Sequence, residues 1–232
     1  APPPPPREVP RLPPLSGGED LRSRALTVNS GLLASGMIKP TATRVALEVQ
    51  IDPAPGNEEL GHRVIQLRDK LAYTKDPFDV NALRAMRERQ LRQLVQPGVW
   101  NAKLSSGGLV DCEYLVQALQ ITHGHALPEL RQTGTSDALV ALRKCAIITD
   151  EQFDRLHSSY VFLRRLIDAL RMVRGDARDL AVPSPDTEEF AYLARRLNYS
   201  NRIGQLQTDI DSTIASVTTF SELLLTQQQT SG

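Results

Sequence analysis

Residues 103–114 read KLSSGGLVDCEY, from Lys103 to Tyr114, and the helical domain is organised around them. A single lysine leads through two serines to Gly107 and Gly108; an apolar pair follows, then Asp111 and Glu113 on either side of Cys112. Glycine adopts backbone angles closed to other residues and lets another backbone, or a phosphate, come close. Leu115, Val116 and Leu119 continue the pattern at helical spacing, so the glycines open onto a helix N-terminus. Free N–H groups and the helix dipole suit anions there, and acids in the first turn are favoured. One reading is a turn and a capped helix start. The other is a nucleotide-facing corner, with Lys103 on phosphate and the two carboxylates near a metal.

Two catalytic signatures fail on spacing. The nucleotidyltransferase pattern places a Gly-Ser loop before a strand that aims two acids at Mg²⁺. Here only Leu109 and Val110 separate the glycines from Asp111, and the period that follows is helical. Residues two apart on a helix do not face each other. A phosphate-binding P-loop needs Gly-Lys-Ser/Thr after its glycines, and the chain has none.

The wider segment KLSSGGLVDCEYLVQALQ resembles the pattern K-x-x-x-GGL-x-D-x-E-[FY]-x-x-Q in the helical domain of glutamine synthetase adenylyltransferases and of PII uridylyltransferases. The likeness extends to LRAMRERQLRQLV upstream and SYVFLRRLIDALRMVRGDARDLAVP downstream. It also takes in PAPGNEELGHRVIQLRDKLAY, DPFD and EEFAYLARRLNY, and so runs roughly from Pro53 to Phe220. In that family a catalytic domain precedes the helical one, and its Gly-Ser and Asp-x-Asp signature is not found in this sequence. Thr43 and Arg44 stand where the family carries a Trp-Glu-Arg-like pattern, a departure from it.

The resemblance implies a helical accessory domain of an enzyme that moves AMP from ATP onto a tyrosine of glutamine synthetase. It further implies ATP and Mg²⁺ as cofactors, held mainly by the catalytic domain. The implied partners are that nucleotidyltransferase domain, glutamine synthetase and a PII-type regulator. Carried over position by position, Lys103, Gly107, Gly108, Asp111 and Glu113 match the family block. They are expected to close over nucleotide or support the catalytic domain. The rival expectation is a stand-alone, non-catalytic helical module that binds a partner protein or a small effector.

Composition bounds these readings. The 232 residues are 41% hydrophobic and 23% charged, ordinary values for a globular chain. Lys plus Arg and Asp plus Glu both total 27, a zero formal charge that argues against a general nucleic-acid or anionic-membrane binder. No apolar run is long enough to span a bilayer. Cys112 and Cys145 fall in apolar helical patterns and read as reduced core thiols, and the flanking acids would raise the Cys112 pKa. The chain lacks an initial Met and a signal-peptide pattern, so it reads as a cytoplasmic fragment.

The chain divides into a Pro-rich linker or tail (1–20), a mixed segment (21–56), a helical domain (57–225) and a polar tail (226–232). Val45, Leu47, Val49 and Ile51 alternate at strand period, with 25–28 as a partner, so a short hairpin is expected there. Beyond Pro53 the pattern is helical throughout. Leu60, Val64, Leu67 and Leu71 form one apolar face; Leu83, Met86 and Leu91 form the next. Thr149 to Gln152 fits a capping box, opening a helix with Phe153, Leu156, Tyr160, Leu163, Ile167 and Leu170 inward, and Gly175 at its C-cap. Ser184-Pro185 is expected to cap the next helix, and Ile203, Leu206, Ile210, Ile214, Val217 and Leu224 stripe the last. The sum is a mainly α bundle of about seven helices.

Two arginine groups are candidate phosphate- or partner-binding residues: Arg84, Arg87 and Arg89, and Arg164, Arg171 and Arg174, with Arg165 and Arg178 nearby. Both also fit solvated faces, since Asp168 stands among the second group at ion-pair spacing. His123-Gly124-His125 has no third ligand at zinc spacing, so no metal site is expected.

Overall fold

The computed structural model describes residues 58–175, 179–200 and 202–230. All belong to the second of two units into which the chain divides, 39–232. The expected Pro-rich start, the mixed segment with its hairpin, and Arg178 lie outside the described residues.

Seven α-helices make up the described chain: α1 (Glu58–Ala72), α2 (Val80–Leu94), α3 (Leu109–His123), α4 (Thr135–Lys144), α5 (Asp150–Arg174), α6 (Glu188–Arg196) and α7 (Ile203–Thr230). A 3₁₀ turn, Pro128–Leu130, links α3 to α4. No strand forms among the described residues beyond one antiparallel bridge, Asn101 to Ala181. None of their helices is long and apolar enough to cross a membrane. The fold is a helical bundle.

Local chemistry sets the helix ends. Asp79 caps α2 by accepting from the Ala82 N–H at 2.9 Å. Thr149 and Gln152 form the expected capping box: the Thr149 hydroxyl accepts from the Gln152 N–H at 3.1 Å, and the Thr149 N–H donates to the Gln152 amide at 2.8 Å. Gly175 ends α5 at φ 66°, the left-handed C-cap that the sequence calls for. The start of α6 is a correction. Ser184 and Pro185 do not cap it; its cap is Thr187, whose hydroxyl accepts from the Phe190 N–H. The Ser184 hydroxyl turns instead onto the Asp186 carboxylate, and that turn delays the helix. At the other end, α7 runs on to Thr230, through most of the segment expected as a polar tail.

Two apolar clusters share α5 as their common rod. One gathers Leu83 of α2, Leu115 and Leu119 of α3, Leu139 and Leu142 of α4, and Phe153 and Leu156 of α5. The other gathers Leu163, Leu166 and Leu170 of α5 with Phe190 and Leu193 of α6 and Leu206, Ile210 and Val217 of α7. The stripe of α1 departs from expectation. Leu60, Leu67 and Leu71 are 54%, 57% and 45% exposed, so that face does not enter the core. The helix is anchored at its C-terminal end, where Ala72 and Tyr73 are buried, Arg131 lies over the Tyr73 ring, and Arg131 pairs with Asp69.

Candidate functional site

The corner that leads into α3 is built from its own backbone. The Asn101 amide oxygen accepts from the N–H groups of Lys103 and Leu104 at 3.0 and 2.9 Å, and the Ser105 hydroxyl accepts from the Asn101 N–H at 2.8 Å. The Trp100 indole N–H donates to the Ser106 carbonyl at 3.0 Å. On its outer side the segment is tied down by the Ala102 N–H on the Leu180 carbonyl and the Val182 N–H on the Trp100 carbonyl.

The N–H groups that open α3 are not free for an anion. Gly108 donates to the Ser105 carbonyl, Leu109 to Ala102, Val110 to Lys103 and Asp111 to Gly108, at 2.9 to 3.1 Å. Of the two readings of this stretch, this is the geometry of a turn and a capped helix start: loop carbonyls satisfy the donors that a phosphate would have used. The glycines have matching duties. Gly107 stands at φ 73°, and a Cβ there would lie 2.8 Å from the Ile214 carbonyl oxygen and 2.9 Å from its Cα. A Cβ on Gly108 would lie 2.9 Å from the carbonyl oxygens of Ala102 and Ser105. What approaches closely is α7 and the corner's own loop.

Arg87 and Asp111 lock the corner to α2. The Arg87 Nε donates to the Asp111 carboxylate, while its Nη2 donates to the carbonyls of Leu104 and Ser105 at 2.7 and 3.1 Å. The other Asp111 oxygen accepts from the Gly107 N–H at 2.8 Å. Both side chains are largely withdrawn from water, 11% exposed for Arg87 and 17% for Asp111. Arg87 is therefore not part of a solvated face, because its guanidinium replaces the hydration of three oxygens inside the fold.

The two acids of the motif diverge, as a helix requires of residues two apart. Glu113 is half-buried between Lys103 and Arg164. Burial raises its pKa above the ordinary carboxylate value, and the two cations oppose that rise. The Lys103 and Arg164 side chains are themselves exposed and make no hydrogen bond or close ion pair among the described residues. Between the acids, the fully buried Cys112 thiol has its pKa pushed up to about 12, first by burial and then by Glu113 and Asp111. It is not a nucleophile at neutral pH.

A family model described as GlnD PII-uridylyltransferase matches residues 80–225, more than half of the chain. The chain belongs to that family. Among its curated relatives is a bifunctional glutamine synthetase adenylyltransferase/adenylyl-removing enzyme of Streptomyces coelicolor, 36% identical over 152 residues, 63% of this chain and 15% of the relative. A protein of the same description from Streptomyces avermitilis is 35% identical over 161 residues, 66% of this chain and 16% of the relative. One from Mycobacterium bovis is 36% identical over 148 residues, 62% and 15% of the two chains. The chain spans about 15% of the length of the curated relatives it matches.

Within this GlnD PII-uridylyltransferase family domain, the other candidate arginines separate by partner. Arg84 and Arg89 are exposed on α2 and make no hydrogen bond or ion pair among the described residues. Arg171 pairs with Asp168 at 3.2 Å, and Arg174 bridges Glu189 of α6 and Asp179 at 2.5 and 2.7 Å. Arg164 alone of its group acts on Glu113, its charge opposing the rise of that carboxyl's pKa. No group of three or more His, Cys, Asp or Glu among the described residues could hold a metal, and Asp111 is already engaged. The described residues thus do not fit a Mg²⁺ site; for ATP the corner before α3 offers two cations, Lys103 and Arg164, and no free backbone N–H groups at the start of α3.

Sequence reasoning missed Asn101, which folds the corner, and Gln120, which is 2% exposed and donates to the carbonyls of Leu130 and Gln132. A signal existed for Gln120, a polar residue inside an apolar helical run.

Proposed function

We propose that this chain is the helical accessory domain of a glutamine synthetase adenylyltransferase-like enzyme, which transfers AMP from ATP to a protein tyrosine. The chemistry then belongs to a nucleotidyltransferase domain with the Gly-Ser and Asp-x-Asp signature. The relatives' printed description, adenylyltransferase and adenylyl-removing enzyme acting on glutamine synthetase, supports this. So does the match to the uridylyltransferase family.

One observation carries the assignment of a working surface. Within the family block, Gly107, Gly108 and Asp111 are consumed in holding the corner, whereas Lys103 and Glu113 are left over, with Arg164 beside them. A half-buried carboxyl without a hydrogen bond among the described residues, opposed by two exposed cations, does little for the fold and is costly to desolvate. In this reading Lys103 and Arg164 neutralise phosphate charge or meet acidic groups of the catalytic domain, and Glu113 holds a basic residue or a water. ATP supplies the transferred adenylyl group.

Titration calorimetry of the chain against a separately expressed nucleotidyltransferase domain, with and without ATP, tests the surface. Lys103→Ala with Arg164→Ala is expected to weaken domain docking or ATP affinity about tenfold or more. Unchanged affinities for both would remove these residues from the site. The paired Arg171→Ala serves as the comparison and is expected to change neither.

A further inference from the structure

A second cluster of cations lies at the corner between α6 and α7, with its Arg165 next in sequence to Arg164. A cavity of about 370 Å³ is lined there by Phe162 and Arg165 of α5, by Asn198 and Tyr199 of the connection, and by Arg202 and Gln205 at the start of α7. Its one acid, Asp209, is already engaged: the Tyr199 hydroxyl and the Gln205 amide both donate to its carboxylate. Tyr199 keeps its proton, because burial and then Asp209 push its pKa up to about 12. The arginines are not engaged in the same way. Arg165 makes no hydrogen bond or ion pair among the described residues. Among the described residues the Arg202 guanidinium reaches only the Asn198 carbonyl, at 3.5 Å, and lies 5.9 Å above the Tyr199 ring. Two guanidiniums against one occupied carboxylate leave the hollow with a net positive charge.

The connection itself is unusual. Asn198 and Ser200 both hold positive φ, 66° and 48°. Asparagine tolerates that region, but serine does so at a cost of about 1 kcal/mol. The bonds from Asn198 N–H to the Arg195 carbonyl and from Tyr199 N–H to the Ala194 carbonyl hold this turn and set Tyr199 and Arg202 at the rim.

We propose that this corner binds a phosphate group, free or carried by a nucleoside monophosphate. Planar guanidinium forks match phosphate oxygens in pairs, and two of them suit a dianion. The volume falls within the range of small-molecule sites, and Phe162 and Leu197 supply an apolar wall on which a base can lie. The proposal does not depend on the adenylyltransferase reading.

Titration of the full chain with inorganic phosphate and, separately, with AMP tests it, followed by calorimetry and by backbone amide shifts at 197–209. Saturable binding is expected, weakened about tenfold by Arg165→Gln and again by Arg202→Gln. Arg165→Lys and Arg202→Lys keep the charge, lose the fork and are expected to weaken it less. Arg92→Gln, an exposed helix pair on α2, is expected to leave it unchanged. Much tighter binding of AMP than of phosphate would identify the nucleotide as the source; equal binding would identify the phosphate group alone. If Arg202→Gln perturbs the fold, Arg165→Gln decides, since that side chain makes no hydrogen bond or ion pair among the described residues. Absence of saturable binding to either ligand, or binding indifferent to Arg165→Gln, overturns the proposal.

Discussion

Arg87 and Asp111 hold each other out of water, and neither is dispensable alone. Removing the guanidinium would strand a carboxylate at 17% exposure and free two carbonyls together. Arg87→Ala is expected to cost about 3 kcal/mol in urea unfolding, whereas Arg87→Met combined with Asp111→Leu costs less than the two single changes added together. Gly107→Ala meets two obstacles at once, a left-handed backbone and the Ile214 backbone in the space of its Cβ. A loss of about 2 kcal/mol or more is expected, and Ile214→Ala does not restore it, because the carbonyl oxygen and Cα remain. Glu113 behaves oppositely. Its folded pKa is raised, so its contribution is present below the unfolded value and lost as pH rises through the folded one. Glu113→Gln is therefore expected to raise the melting temperature at pH 7 and to leave it nearly unchanged at pH 4. The Cys112 thiol follows the same sign at alkaline pH. Stability falls between its unfolded value of 9.0 and its folded value of about 12, and Cys112→Ala removes that part of the decline.

At the scale of elements, α5 shows how much a sequence pattern can carry. Leu156, Leu163 and Leu170 are fully buried as their spacing requires, and cap and C-cap both fall where the residues place them. Leu163→Ala is expected to cost about 3 kcal/mol and Thr149→Ala about 1 kcal/mol by the same urea assay. The stripe on α1 looked equally apolar, yet Leu60→Gln, Leu67→Gln and Leu71→Gln are each expected to change stability by less than about 0.5 kcal/mol. Periodicity reports that a face is apolar, not what covers it. The corner before α3 was legible in part for a related reason. Glycine spacing marked a close approach but could not say whether a phosphate or a backbone would make it, and the answer lay more than a hundred residues away at Ile214. Arg87 was likewise written among exposed neighbours, and only its long-range partner Asp111 turns it inward.

For the whole molecule, two cores threaded on one helix give a domain whose catalytic-looking motif is mostly bracing. The glycines and Asp111 pin α2, the loop and α7 together, and this leaves the exposed Lys103 and the half-buried Glu113 of the family block, with the exposed Arg164 of α5 beside them. In the proposed function the chain supports adenylyl transfer without performing it. The most direct measurement is label transfer from α-labelled ATP, with Mg²⁺, to glutamine synthetase, by the chain alone and then with a separately expressed nucleotidyltransferase domain. The account predicts no transfer by the chain alone, transfer on recombination, and a loss of about tenfold or more with Lys103→Ala and Arg164→Ala together. Transfer by the chain alone, or recombined transfer that is indifferent to whether the chain is present, would contradict it.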